Sequence, residues 1–169
     1  MTNNFVFETD RATKKIHIVR EFNAPVEKIW RAWTDPEILD QWWAPKPSKA
    51  VTKIMDFRVG GRWQFAMVTP DGQKHWLHAE FTAIENGKAI STRAVFFDGE
   101  DNPVPGGPNW YRDTTFSAIE GNRTKVDIEI SYDDEATFER FTADGFFKEG
   151  TAIGYSQLDE LLDSELITL

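Results

Sequence analysis

The chain has 169 residues, 40% hydrophobic and 14% aromatic, with no cysteine and a formal net charge of −9. A chain of this length buries roughly 70% of the surface that its unfolded form exposes, enough for a core without staples, and the missing thiols exclude disulfides and thiolate metal sites. The acidic balance opposes both the counterion release that drives nucleic-acid binding and attraction to anionic membrane surfaces, so neither nucleic acid nor membrane is expected as a partner.

The first residues have no basic stretch leading into an apolar run, and no later segment is long, apolar and free of charge. With the absent cysteines, this leads us to expect a cytoplasmic protein forming one domain over 1–169, with 1–13 a loosely ordered lead. Lys15–Phe22 reads as the first strand. Pro25 suits a first helical position, and Val26, Ile29, Trp30 and Trp33 then recur at helical spacing, so an amphipathic helix ends near Trp33. A second short helix follows and stops before Pro45. Its start is either a capping box of Thr34 with Glu37 or Asp35 as N-cap ahead of Pro36. Four of the seven tryptophans fall in this stretch.

From Lys49 the period becomes that of strands separated by turn dipeptides, Gly60-Gly61, Asp71-Gly72, Asn86-Gly87 and Gly121-Asn122, each suited to the positive φ of tight hairpins. Val126, Ile128, Ile130 and Tyr132 alternate with polar neighbours, the pattern of a sheet with one face covered and one wet. Residues 98–108, rich in proline and glycine, are expected as a mobile surface loop joining two strands. The last element starts with Thr142 or Asp144 as N-cap and carries Phe147, Thr151, Gly154, Tyr155, Leu158, Leu161 and Leu162 at helical spacing. Gly150 and Gly154 each cost about 1 kcal/mol relative to alanine there. Close packing on the sheet explains them most simply, and a gap left for a ligand is the alternative. The order strand, helix pair, six strands, long helix is an α+β helix-grip, a curved antiparallel sheet of about seven strands wrapped around the C-terminal helix.

His75 and His78 stand three apart, which on a strand turns them to opposite faces; with no carboxylate at ligand spacing, neither a metal nor a cofactor is expected. The acidic run from Asp98 begins like a calcium loop, but Pro103 stands where that turn needs glycine and no glutamate closes it. No nucleophile motif such as Gly-x-Ser-x-Gly occurs. Acid–base candidates are Glu80, Glu85, Arg93, Arg112, Asp113 and Tyr155; no spacing selects among them, and a solvated rim is the simpler account of these charges. Catalytic residues therefore stay unassigned. Trp63, Phe65 and Met67 share one strand face, Leu77 and Phe81 another, and Phe147 and Tyr155 lie on the closing helix. These seven can line one apolar chamber, although a filled core would read the same way. Arg112 and Thr151 are the candidate polar groups of that chamber.

Ala24-Pro25, Ile29-Trp30, Ala32-Trp33-Thr34-Asp35-Pro36, Trp42-Trp43 and Pro45 together resemble a signature of the START-like (SRPBCC, birch-pollen-allergen-like) superfamily, in its AHSA-type branch, similar to activators of the heat-shock protein 90 ATPase. The likeness runs from Phe22 to Leu162 and takes in Asp56 to Trp63, Pro70-Asp71-Gly72 and Glu149-Gly150 leading to Gly154 to Leu162. It implies a helix-grip fold with an internal cavity. Where such proteins often carry glutamate in a Gly-x-Tyr-x-Glu strand, this chain has Ala79-Glu80-Phe81-Thr82-Ala83, so that carboxylate and its role do not carry over. Three functions follow from the resemblance. The leading one is a binding module for a small apolar or aromatic ligand held between sheet and helix. A chaperone-associated interaction domain ranks below it, because the namesake joins this domain to a separate N-terminal one that is not expected here. The third is a cyclase- or hydrolase-like enzyme using Tyr155 or Arg112 in the same cavity.

Overall fold

A computed structural model describes residues 4–105 and 109–164. Its elements in chain order are β1 (Phe5–Asp10), β2 (Lys15–Phe22), α1 (Val26–Thr34), α2 (Pro36–Trp42), β3 (Lys49–Met55), β4 (Arg62–Val68), β5 (Lys74–Glu85), β6 (Ala89–Asp98), β7 (Asn102–Pro103), β8 (Asn109–Ile119), β9 (Arg123–Tyr132), α3 (Glu135–Thr142) and α4 (Phe146–Asp163). The strands form one antiparallel sheet in the order β1-β2-β9-β8-β6-β5-β4-β3, with β7 paired to β6. This is the α+β helix-grip, a curved sheet closed by its C-terminal helix, with nine strands among the described residues rather than about seven. Register breaks at Thr52/Ile54 and Phe81/Ala83 mark bulges that bend β3 and β5.

One face of the sheet is apolar and covered. Ile16, Ile18 and Phe22 of β2 and Val126, Ile128, Ile130 and Tyr132 of β9 are all buried, as the period-two alternation requires. Gly60, Gly72, Gly87 and Gly121 take positive φ at the expected turns, and Asn122 joins them at 58°. Gly61 serves a different purpose: a Cβ there would lie 2.2 Å from the Asp56 carbonyl oxygen.

Three expectations are corrected. The lead over 1–13 is not loose at residues 5–10, which form edge strand β1 against β2; residues 1–3 lie outside the described residues. Phe5 and Phe7 turn inward from that strand, their rings 6.1 Å from Tyr155 and 5.9 Å from Phe147. The 98–108 loop contributes β7, whose two residues pair with Phe97 and Asp98; Gly106-Gly107-Pro108 lie outside the described residues. Thr142 caps no helix start. It ends α3, an element the sequence reading lacked, and its hydroxyl donates back to the Phe138 carbonyl at 2.8 Å. Asp134 is the N-cap of α3, accepting from the Thr137 amide at 2.7 Å. The helix α4 then begins at Phe146, whose amide donates to Asp144 at 3.0 Å.

The helix pair resolves the earlier alternative in favour of Asp35, which accepts from the Glu37 amide at 3.0 Å with Pro36 behind it. Thr34 instead donates to the Trp30 carbonyl at 3.0 Å. Helix α4 docks on the end of α2 rather than packing its glycines on the sheet. A Cβ on Gly154 would sit 3.1 Å from the Trp42 carbonyl oxygen, and one on Gly150 would meet only Pro45 at 3.4 Å. Gln157 completes the joint. Its Nε2 donates to the carbonyls of Trp42 (3.1 Å) and Ala44 (2.9 Å), and its Oε1 accepts from the Lys46 amide (2.8 Å).

Two outcomes follow for thermal unfolding. Gly150→Ala gains about 1 kcal/mol of helix propensity without a clash, so the melting temperature should rise by about 2–4 °C. Gly154→Ala should lower it, because its Cβ meets a backbone oxygen held by Gln157; equal rises in calorimetry would deny the close approach. Leu158 is 0% exposed. Leu158→Asp therefore buries an unpaired carboxylate at a cost of several kcal/mol and should give insoluble or molten protein. A cooperative melt within a degree or two of wild type would show that α4 does not pack there.

Candidate functional site

Between the covered face of the sheet and the helices lies a cavity of about 1000 Å³. The structure brings all nine candidate residues to its wall: Trp63, Phe65 and Met67 from β4, Leu77 and Phe81 from β5, Arg112 from β8, and Phe147, Thr151 and Tyr155 from α4. Trp63, Phe65, Phe81 and Tyr155 are buried and still border open space, and the other five are half-buried, so these positions wall a chamber and also belong to the core. Sequence reasoning missed the wall built by Trp33, Trp42 and Trp43, and also Trp110 of β8. These tryptophans read as helix stripe or signature, and only the docking of α1 and α2 over the sheet turns them toward the space.

Local interactions fix the walls. Trp63 and Phe65 stack at 3.9 Å between centroids, and Trp43 meets Trp63 edge-on at 5.1 Å. The Trp63 indole donates to the Thr52 hydroxyl at 3.0 Å, which donates to Asp40 of α2 at 2.6 Å. Phe147 packs edge-on against Phe141 of α3 at 5.4 Å. Exposed lining residues, Lys74, His75, Asp98, Arg140, Asp144 and Phe146, mark the mouth, and Phe146 is 73% exposed.

The deep polar groups are donors. Arg112 pairs in register with Thr92 on β6 and Ile130 on β9 and lays its guanidinium 5.1 Å from the centre of the Trp43 ring. It makes no ion pair or hydrogen bond with any described residue. Burial presses its pKa down, although a guanidinium keeps its charge. Tyr155 is 4% exposed; burial pushes its hydroxyl up to about 12, with the charges of Arg112 and Arg20 pulling partly back. Burial likewise raises Tyr132, whose hydroxyl finds no partner among the described residues. Asp98 and Asp144, the carboxylates of the lining, are both exposed. The arrangement can therefore stabilise negative charge and donate hydrogen bonds, and among the described residues no carboxylate or histidine lies in its deep part.

The other candidates are dispersed. Glu80 pairs with Arg93 at 3.3 Å beside a small polar pocket on the opposite face of the sheet, and Asp113 is exposed. His78 borders that outer pocket and His75 the cavity mouth, so the two do face apart; burial and Arg62 lower the pKa of His78. His17 pairs with Asp127 at 2.9 Å. Among the described residues no group of three or more His, Cys, Asp or Glu is arranged to hold a metal ion, and no helix is long and apolar enough to cross a membrane.

The three tyrosines, Tyr111, Tyr132 and Tyr155, all hold their protons above the ordinary value of 10.0. Above about pH 10 the unfolded chain releases phenolic protons that the folded protein keeps, so stability is intact below that pH and declines as pH rises toward 12. Ultraviolet titration should find Tyr155 still protonated near pH 10 before unfolding; ionisation of all three tyrosines near pH 10 in still-folded protein would contradict the burial of Tyr155.

Comparison with known proteins agrees with this architecture. Protein Ms6760 from Mycobacterium smegmatis has a similar crystal structure, with a TM-score of 0.84 at 28% identity over 95% of this chain and 97% of that one. A solution structure from Arthrobacter aurescens gives 0.84 at 28% identity over 94% and 91%. A crystal structure from Rhodobacter sphaeroides gives 0.81 at 19% identity over 95% and 99%, a likeness of fold alone. A comparison with curated proteins found no match. Residues 23–163 match the family model described as "Activator of Hsp90 ATPase homolog 1-like protein", and the chain belongs to that family.

Proposed function

We propose that the protein binds a small apolar or aromatic molecule in the cavity between the sheet and α4, and does so in the cytoplasm. The observation that carries this reading is an open chamber of about 1000 Å³ walled by aromatic rings, where a filled core would leave no such space. Flat walls of tryptophan and phenylalanine favour ring-bearing or long apolar ligands through offset and edge contacts. The mouth beside Phe146 and Phe147 supplies an entry. A deep polar set that includes no carboxylate or histidine among the described residues supports holding a ligand over transforming one.

Family membership favours a second reading, a domain that contacts a heat-shock protein 90 type chaperone. Capture of that chaperone by the purified chain, with no ligand effect on thermal stability, would favour it.

A panel of fatty acids, sterols and polyphenols separates the two. A cavity ligand should quench or shift tryptophan emission through Trp63 and raise the melting temperature, since binding the folded state alone adds about 2.7 kcal/mol at a hundredfold excess over Kd. Phe147→Ala should widen the mouth and change which ligands bind. If no compound alters emission or stability in the wild type, and Phe147→Ala only destabilises, the ligand-binding reading fails.

A further inference from the structure

Two arginines project from the covered face of the sheet toward α4, and the helix treats them differently. Arg20 of β2 is met by Asp159, which accepts from both of its terminal nitrogens, one of them at 3.2 Å. Arg20 also donates to the Glu21 carbonyl at 2.7 Å. Its charge is thus paired in the bidentate manner that the planar fork favours. Arg112 lies on the cavity wall. The helix offers it Tyr155, one turn before Asp159, and Asp159 is already committed to Arg20. The titratable groups that act on Arg112 are Tyr155 and Tyr132, both phenols that stay neutral at physiological pH. The Arg112 guanidinium carbon lies over the Trp43 ring, and no described residue accepts a hydrogen bond from it.

Arg112 is half-buried and opens on the cavity, and a charge held there without a counter-charge is less well solvated than one on the outer surface. Among the described residues the only carboxylates on the cavity lining are Asp98 and Asp144 at the exposed mouth, whereas hydroxyls that can donate line it beside the strand of Arg112 and the helix: Tyr155, Thr92, Thr114 and Thr151. We propose that Arg112 anchors a carboxylate, so that the cavity takes an amphipathic organic acid whose head meets the guanidinium fork and whose aromatic or aliphatic body fills the ring-lined chamber. This rests on the ligand-binding reading above and narrows it to one chemical class. A single guanidinium balances one negative charge, which suits a carboxylate better than a phosphate dianion, and the neutral Tyr155 phenol can donate to the second oxygen.

Matched probes test it: naphthoic acid against naphthamide, and lauric acid against lauramide, titrated at neutral pH by tryptophan fluorescence. In the wild type each acid should bind at least about tenfold more tightly than its amide. In Arg112→Met the preference should vanish while amide binding persists, and the ligand-free variant should melt higher than wild type, because an uncompensated charge has been removed. Arg112→Lys, which keeps the charge and loses the fork, should retain part of the preference. Amides that bind the wild type as well as acids would overturn the anchor and leave the cavity reading standing. A preference that survives Arg112→Met, or a ligand-free variant that melts lower or fails to fold, would also overturn it. Failure of all four probes to bind the wild type would remove the cavity reading and the anchor together.

Discussion

The seven-residue helix α2 holds the site together, and its docking against α4 is the constraint on which the rest depends. A helix end leaves carbonyls without intrahelical partners, and here they are met by one buried side chain. Gln157 donates to two carbonyls and accepts one amide over residues 42–46, while the missing Cβ of Gly154 lets the two backbones approach. These contacts fix the rotation and height of α4. Tyr155, Asp159 and Phe147 inherit their positions from it, so the roof of the cavity is set by polar bonds between α4 and the end of α2.

The same short helix reaches in two other directions. Trp42 donates its indole N–H to the Ala32 carbonyl at 3.0 Å and ties α2 to α1. Asp40 accepts from both the amide and the hydroxyl of Thr52 and so ties α2 to β3, and through Thr52 to the Trp63 ring. Trp42 and Trp63 are therefore each held by a hydrogen bond to a residue outside the cavity lining. That is how the space stays open: rings bonded or stacked from behind do not collapse inward, although apolar side chains left to themselves would fill it.

The polar content of the interior is uneven in an informative way. Among the described residues two arginines project from the covered face of the sheet, Arg20 paired with Asp159 and Arg112 with no ion pair. Stability alone would pair both or replace both with apolar residues. Retaining an unpaired guanidinium next to a void concentrates positive potential where a ligand enters low-dielectric surroundings, and there electrostatic attraction is least screened. Exposed ion pairs of the outer face, such as Glu80 with Arg93, contribute little.

Much of this was legible in the residues. The period-two alternation of β9, the turn glycines, the Asp35-Pro36 helix start and the inward positions of Trp63, Phe65, Phe81, Phe147 and Tyr155 follow from local geometry, because a strand or helix of known period dictates which side chains share a face. Edge strand β1 and the eight-residue α3 escaped, since elements so short are stabilised by what they pack against rather than by their own pattern. The sequence by itself determined the class of fold, the covered face and the aromatic character of the interior. Only the tertiary structure decided that the interior is partly empty, that Trp33, Trp42 and Trp43 help to enclose it, and that Asp159 pairs with Arg20 and leaves Arg112 alone. Those outcomes depend on where α2 and α4 come to rest against distant strands, and residues 139 positions apart in the chain carry no local signal of their pairing.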